Sequence, residues 1–135
     1  MGSYQEKRGI ILDAYYLAMQ YQLEHMDSKW AQIAKQAKTY VDENYSNPDL
    51  TIDMISRSLF VNQTYLRRMF KDEFQMTISD YITKCRMEKA KEMILTENSK
   101  LAYISTKVGY NDTSYFSKCF KKYFGYLPSD IINRQ

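Results

Sequence analysis

Residues 70–82 read FKDEFQMTISDYI, and residues 120–132 read FKKYFGYLPSDII. Phe, Lys, Phe, Ser, Asp and Ile recur in register, at 70/120, 71/121, 74/124, 79/129, 80/130 and 82/132. The approach to each copy matches too, YLRRMFK at 65–71 beside YFSKCFK at 115–121. A phrase written twice at a fixed period points to a duplicated supersecondary unit, and such a unit dictates the architecture.

The correspondence extends upstream if the second copy carries one extra residue near position 111. At an offset of 49, Ile52, Ile55, Ser56 and Leu59 meet Leu101, Ile104, Ser105 and Val108. At an offset of 50, Leu66, Met69, Phe70 and Phe74 meet Phe116, Cys119, Phe120 and Phe124. Within each copy the apolar positions recur every three or four residues, the pattern of amphipathic helices. The runs break at Phe60-Val61-Asn62 and at Gly109-Tyr110-Asn111-Asp112. Asn and Asp at these breaks can cap a second helix, because their side chains accept backbone N–H groups left free in its first turn. Gly109 suits the turn, where a positive φ costs glycine nothing. Ser56 and Ser105 are small where the first helix must approach the second. Each copy is therefore expected to be a helix of about eight residues, a tight turn and a helix of about twelve, the layout of a helix-turn-helix whose second helix enters the major groove.

Between the copies, Ser79 to about Glu97 reads as one helix with Tyr81, Ile82, Cys85, Met87, Ala90, Met93 and Ile94 on its apolar face. At ~1.5 Å per residue it spans roughly 27 Å, close to the ~34 Å between major-groove faces on one side of a duplex. The expected fold class is all-α: two helix-turn-helix subdomains joined by a long linker helix and preceded by an N-terminal helical extension. The first motif covers about 49–75, the linker helix about 78–97 and the second motif about 99–125.

Composition agrees with a mainly helical chain, with only four Gly and two Pro in 135 residues. No stretch approaches the roughly 18 apolar residues of a membrane span, and no signal-peptide pattern is present. Met1-Gly2-Ser3 reads as an expression remnant. Cys85 and Cys119 are too few and too isolated for a disulfide framework or a zinc site, and they read as packing residues in a reducing cytoplasm. From Ser46 onward there are 14 Lys+Arg against 10 Asp+Glu, a net of +4, whereas residues 1–45 carry 5 against 6, a net of −1. The duplicated part is the basic part.

Residues 46–134 resemble the C-terminal DNA-binding domain of the AraC/XylS family of bacterial transcription regulators. The second copy carries most of the likeness: Ile104-Ser105-Thr106-Lys107-Val108-Gly109-Tyr110, then Tyr115-Phe116-Ser117-Lys118-Cys119-Phe120-Lys121, then Gly125 and Pro128. Arg86-Met87-Glu88-Lys89-Ala90-Lys91 is similar to the family's linker helix. The sequence departs from the family at Gln75, where Gly is usual, at Ser105, where Ala is usual, and at Ile131 and Ile132, where an aromatic and an Arg are common. The resemblance implies sequence-specific binding to double-stranded DNA, a cytoplasmic regulator that is an activator like most of its relatives, RNA polymerase as a partner, and no cofactor.

On the first recognition helix the inward residues leave Asn62, Gln63, Thr64, Arg67, Arg68 and Lys71 as candidates. Gln63, Thr64, Arg67 and Lys71 lie about one turn apart along one side, as a groove-facing stripe requires. Arg suits guanine because its planar fork matches two acceptors on one base edge, and the resemblance places Thr64, Arg67 and Arg68 against bases. On the second helix Phe116, Cys119, Phe120 and either Tyr123 or Phe124 face inward. Thr113, Ser114, Tyr115, Lys118, Lys121 and Lys122 are the candidates, with Ser114, Tyr115 and Lys118 where the family places base contacts. Lys121 and Lys122 suit phosphate, being strongly hydrated point charges. Asp112 reads as a cap rather than a reader of cytosine. The helix starts near Thr51 and Leu101 are further candidates for phosphate.

Residues 10–44 contain neither Gly nor Pro, and Leu12, Tyr16, Met19, Leu23, Met26, Trp30, Ile33, Ala37 and Tyr40 alternate in steps of four and three, an a/d pattern. In one reading, the domain comprises residues 28–135. A helix over about 29–45 is then capped by Asp27-Ser28 and packs Ile33, Ala37, Tyr40 and Val41 onto the first motif. Residues 1–27 would be a remnant plus a helical linker from a sensor or receiver domain. In the other, one continuous helix pairs with a second copy as a homodimer. His25 is the only histidine, and no phosphate loop, metal-ligand cluster or nucleophile–base pair accompanies it, so the chain is not read as an enzyme. The competing function is a helical protein–protein adaptor with only non-specific DNA affinity.

Overall fold

The structure, a computed structural model, describes the backbone of residues 4–132 and the side chains of 9–23 and 29–132. Among the described residues it consists of seven helices and no strands: α1 (Tyr4–Asn44), α2 (Ile52–Ser58), α3 (Gln63–Phe74), α4 (Ile78–Thr96), α5 (Leu101–Lys107), α6 (Thr113–Phe124) and α7 (Pro128–Ile132). The pairs α2/α3 and α5/α6 are the two helix-turn-helix motifs, and α4 joins them.

Helix α1 runs for 41 residues, roughly 60 Å at the α-helical rise. It passes through Asp27-Ser28 unbroken, which overturns the expected cap there: nothing in residues 10–44 interrupts the backbone hydrogen-bond ladder. The side chains of His25, Met26, Asp27 and Ser28 lie outside the described residues. The C-terminal half packs on α3, with Ala34, Ala37 and Val41 fully buried and Ile33 and Tyr40 partly so. Small residues there let the two helices approach closely. The preceding stretch leaves the body, and Ile10, Leu12, Tyr16, Leu17 and Leu23 are all more than half exposed.

Two separate cores follow from the repeat. The first gathers Ala37, Val41, Leu50, Ile55, Leu66, Phe70, Ile78 and Ile82. The second gathers Met87, Ala90, Met93, Ile94, Ile104, Val108, Tyr110, Phe116 and Phe120. Phe70 and its counterpart Phe120 are fully buried, each contributing about 1.5–3 kcal/mol of burial. Phe74 and Phe124 cover them at ring-centre distances of 4.8 and 4.6 Å. Helix α4 belongs to both cores. Ile78 and Ile82 enter the first, while Met87, Ala90, Met93 and Ile94 enter the second.

Repeated local chemistry explains why both copies fold alike. The buried Ser56 and Ser105 hydroxyls donate back to Asp53 O and Ala102 O, each at 2.9 Å, so a polar atom is satisfied at the closest helix approach. Each turn is closed by the same pair of bonds, Val61 N–H to Ser56 O (3.0 Å) with Phe60 N–H to Arg57 O, and Tyr110 N–H to Ser105 O (2.9 Å) with Gly109 N–H to Thr106 O. This is a Schellman closure, which needs a left-handed residue. The recurring Ser-Asp marks a helix start in both copies. Thr77 Oγ1 accepts from Asp80 N–H at the head of α4, and Asp130 Oδ2 accepts from Leu127 N–H at the head of α7. Helix α7 is the counterpart of the first turns of α4.

Candidate nucleic-acid interface

The recognition helices are capped as their sequences require. Asn62 Oδ1 accepts from Thr64 N–H at 2.7 Å, and Asp112 Oδ1 accepts from Ser114 N–H (2.8 Å) and Tyr115 N–H (3.2 Å). Asp112 is thereby occupied as a cap, and Asn62 keeps its amide NH₂ for other partners. Thr51 caps α2 through Met54 N–H, whereas Lys100 offers α5 no side-chain cap.

Thr64, Arg67, Arg68 and Lys71 are exposed on α3, and Ser114, Tyr115, Lys118, Lys121 and Lys122 are exposed on α6. Arg67, Arg68, Lys71, Lys118, Lys121 and Lys122 have no ion-pair or hydrogen-bond partner among the described residues. On other elements Arg57 pairs with Asp53 and Lys89 with Glu92, while Lys35, Lys84 and Lys100 have no such partner among the described residues. Thr64, Arg67, Arg68 and Lys71 also line an open cleft of about 520 Å³ with Asp72, Gln75, Thr77 and Ile78.

Two candidates are drawn inward instead. The Gln63 amide donates to Asp53 Oδ1 at 2.9 Å, and the Thr113 hydroxyl lies 3.2 Å from that of Ser105. Both occupy the first position of a recognition helix and are half-buried. They brace that helix against its partner helix, which takes Gln63 out of the outward stripe. Helical spacing cannot reveal this, because the binding partner sits on another element. Among the aromatics, Phe124 covers the core and Tyr123 is left exposed. Tyr115 is 60% exposed with its ring tilted against Tyr110 at 6.1 Å. The Cys119 thiol beside it raises the Tyr115 hydroxyl above its ordinary pKa.

A helix-turn-helix domain family matches residues 55–134 of this chain. The C-terminal domain of AraT, a response regulator from Geobacillus stearothermophilus, superposes with a TM-score of 0.74 at 35% identity, over 76% of this chain and 85% of that one. The chain belongs to the AraC-type family of helix-turn-helix regulators. The C-terminal domain of the two-component response regulator yesN from Fusobacterium nucleatum agrees with a TM-score of 0.70 at 34% identity, over 73% of this chain and 95% of that one. The Msm operon regulatory protein of Streptococcus mutans is 31% identical over 107 residues, which are 79% of this chain but 38% of that relative's length. The AraC-type domain is a DNA-binding module of transcription regulators. In this AraC-type domain no cluster of three or more metal-ligating side chains occurs among the described residues, and no described helix is long and apolar enough to cross a membrane.

Proposed function

We propose that the chain recognises a specific double-stranded DNA site with α3 and α6 in successive major-groove segments, as part of a regulator that activates transcription. The observation that carries this reading is the set of six unpaired cations on the exposed sides of the two repeated helices. Arg67, Arg68 and Thr64 on α3, with Ser114, Tyr115 and Lys118 on α6, are assigned to base edges. Lys71, Lys121 and Lys122 are assigned to phosphate, and Asn62 to either through its free amide. Gln63 and Thr113 hold the helices rather than touch DNA first.

The protein partners fall on the other end of the chain. Activation engages RNA polymerase. The exposed Leu12, Tyr16, Met19 and Leu23 of α1 offer a face for a second copy, or for a sensor or receiver domain. An unbiased selection from random duplexes with the purified chain tests the reading. Enrichment of a bipartite site with elements ~10 bp apart, bound with an affinity that falls steeply with salt, is expected. Recovery of no preferred sequence would favour the adaptor.

A further inference from the structure

Arg86 sits where α4 passes from one core to the other, between Ile82 of the first and Met87 of the second. Its Nε donates to Tyr45 O at 2.7 Å and its Nη2 to Asn47 O at 2.9 Å. Both carbonyls belong to the segment leaving α1, on the side of the first subdomain. The guanidinium carbon also lies 5.4 Å from the centre of the Tyr110 ring, and that ring packs in the second core against Phe116. One side chain thus grips the backbone of one subdomain by its edge and an aromatic of the other by its face.

The neighbouring turn is shaped around this grip. A Cβ at Gly109 would stand 2.6 Å from Tyr45 O and 2.9 Å from Arg86 Nε. The missing side chain is therefore what lets the second motif's turn close over the first subdomain's loop. Only arginine combines a planar fork with a stackable face, since lysine offers a single point charge. The two bonds are charge-assisted and directional, whereas apolar packing along α4 is non-directional and sets spacing more firmly than rotation.

We propose that Arg86 is a positioning residue that fixes the angle between α3 and α6, so that the two recognition helices engage DNA as one rigid pair. This rests on the bipartite reading above. A rigid pair presents its second reader at high effective concentration once the first has bound. It also tolerates only one spacing of the two DNA segments.

The test uses the whole chain with Arg86→Met, which keeps the aliphatic stem, and Arg86→Lys, which keeps the charge. The milder Arg86→Lys is read in the same way if Arg86→Met does not fold. Amide residual dipolar couplings without DNA come first: a single alignment tensor should fit both cores in the parent, and two different tensors should be needed in the variants. Binding to the selected duplex comes second. The variants should lose about tenfold on the full site, less than about twofold on duplexes with one segment scrambled, and most of the parent's penalty for one inserted base pair. A single tensor in the variants, or equal losses on full and single-segment duplexes, would overturn the proposal. Failure of the parent to select any sequence would sink the bipartite reading instead, and the couplings would still decide whether Arg86 holds the angle.

Discussion

Phe60 and Gly109 close the same turn in the two copies, and both do so with a left-handed backbone, at φ +56° and +105°. The pair recurs one helix later, where Gln75 at φ +60° matches Gly125 at φ +87°. The second copy uses glycine at both sites and the first at neither. Left-handed backbone costs an L-residue roughly 1–2 kcal/mol, partly offset because glycine loses more chain entropy on folding.

Phe60→Gly and Gln75→Gly should therefore each stabilise the fold by about 0.5–1 kcal/mol. Phe60 is 95% exposed, so truncating it forfeits little packing. Gln75 gives up only a bond from its amide to Asp72 O. Urea unfolding of the two variants measures this. A loss of stability in both would mean that the left-handed backbone at these sites carries no strain.

Gly109→Ala and Gly125→Ala should differ sharply although both glycines are left-handed. An added Cβ at Gly125 meets nothing within 4 Å, so the cost is the backbone term of about 1 kcal/mol. At Gly109 the Cβ would press on the Tyr45 carbonyl at 2.6 Å, and overpacking adds to the backbone term for a total of about 3 kcal/mol. Thermal and urea midpoints compared side by side check the difference, and equal losses would refute the close approach at Gly109.

For DNA, Arg67→Ala and Lys118→Ala should damage different halves of the selected site. Arg67 should cost roughly 1–3 kcal/mol and relax the preference at one base pair, while Lys121→Ala should weaken all sequences alike and lower the salt slope by about one. Footprints and salt titrations separate these outcomes. Loss of the same half by both Arg67→Ala and Lys118→Ala would refute the assignment of the two helices to separate DNA segments.

Alkaline pH should weaken the fold as it rises past the ordinary tyrosine pKa of 10.0. Burial pushes the Tyr110 hydroxyl from 10.0 up to about 12, so the folded state holds a proton that the unfolded chain releases. The associated stability is fully present below pH 10 and is lost between pH 10 and about 12. Tyr81 acts in the same direction, through burial and its hydrogen bond to Asp42. Urea midpoints measured from pH 9 to 11.5 should fall, and less so in Tyr110→Phe. An unchanged pH profile in that variant would show that Tyr110 is not the group responsible.

The duplication, the helix periods, the caps at Asn62 and Asp112 and the shared rod could all be read from the amino-acid order, because each depends on contacts within a few residues or on one element's own face. The outward placement of Arg67, Arg68, Lys118 and Lys121 was legible for the same reason, once Leu66, Phe70, Phe116 and Phe120 claimed the inside. Tertiary structure alone decided that Gln63 and Thr113 turn inward and that Arg86 reaches Tyr45, 41 positions away. Those outcomes depend on which groups meet across elements, where a hydrogen bond or a steric gap outweighs the weak local preference of the residue itself.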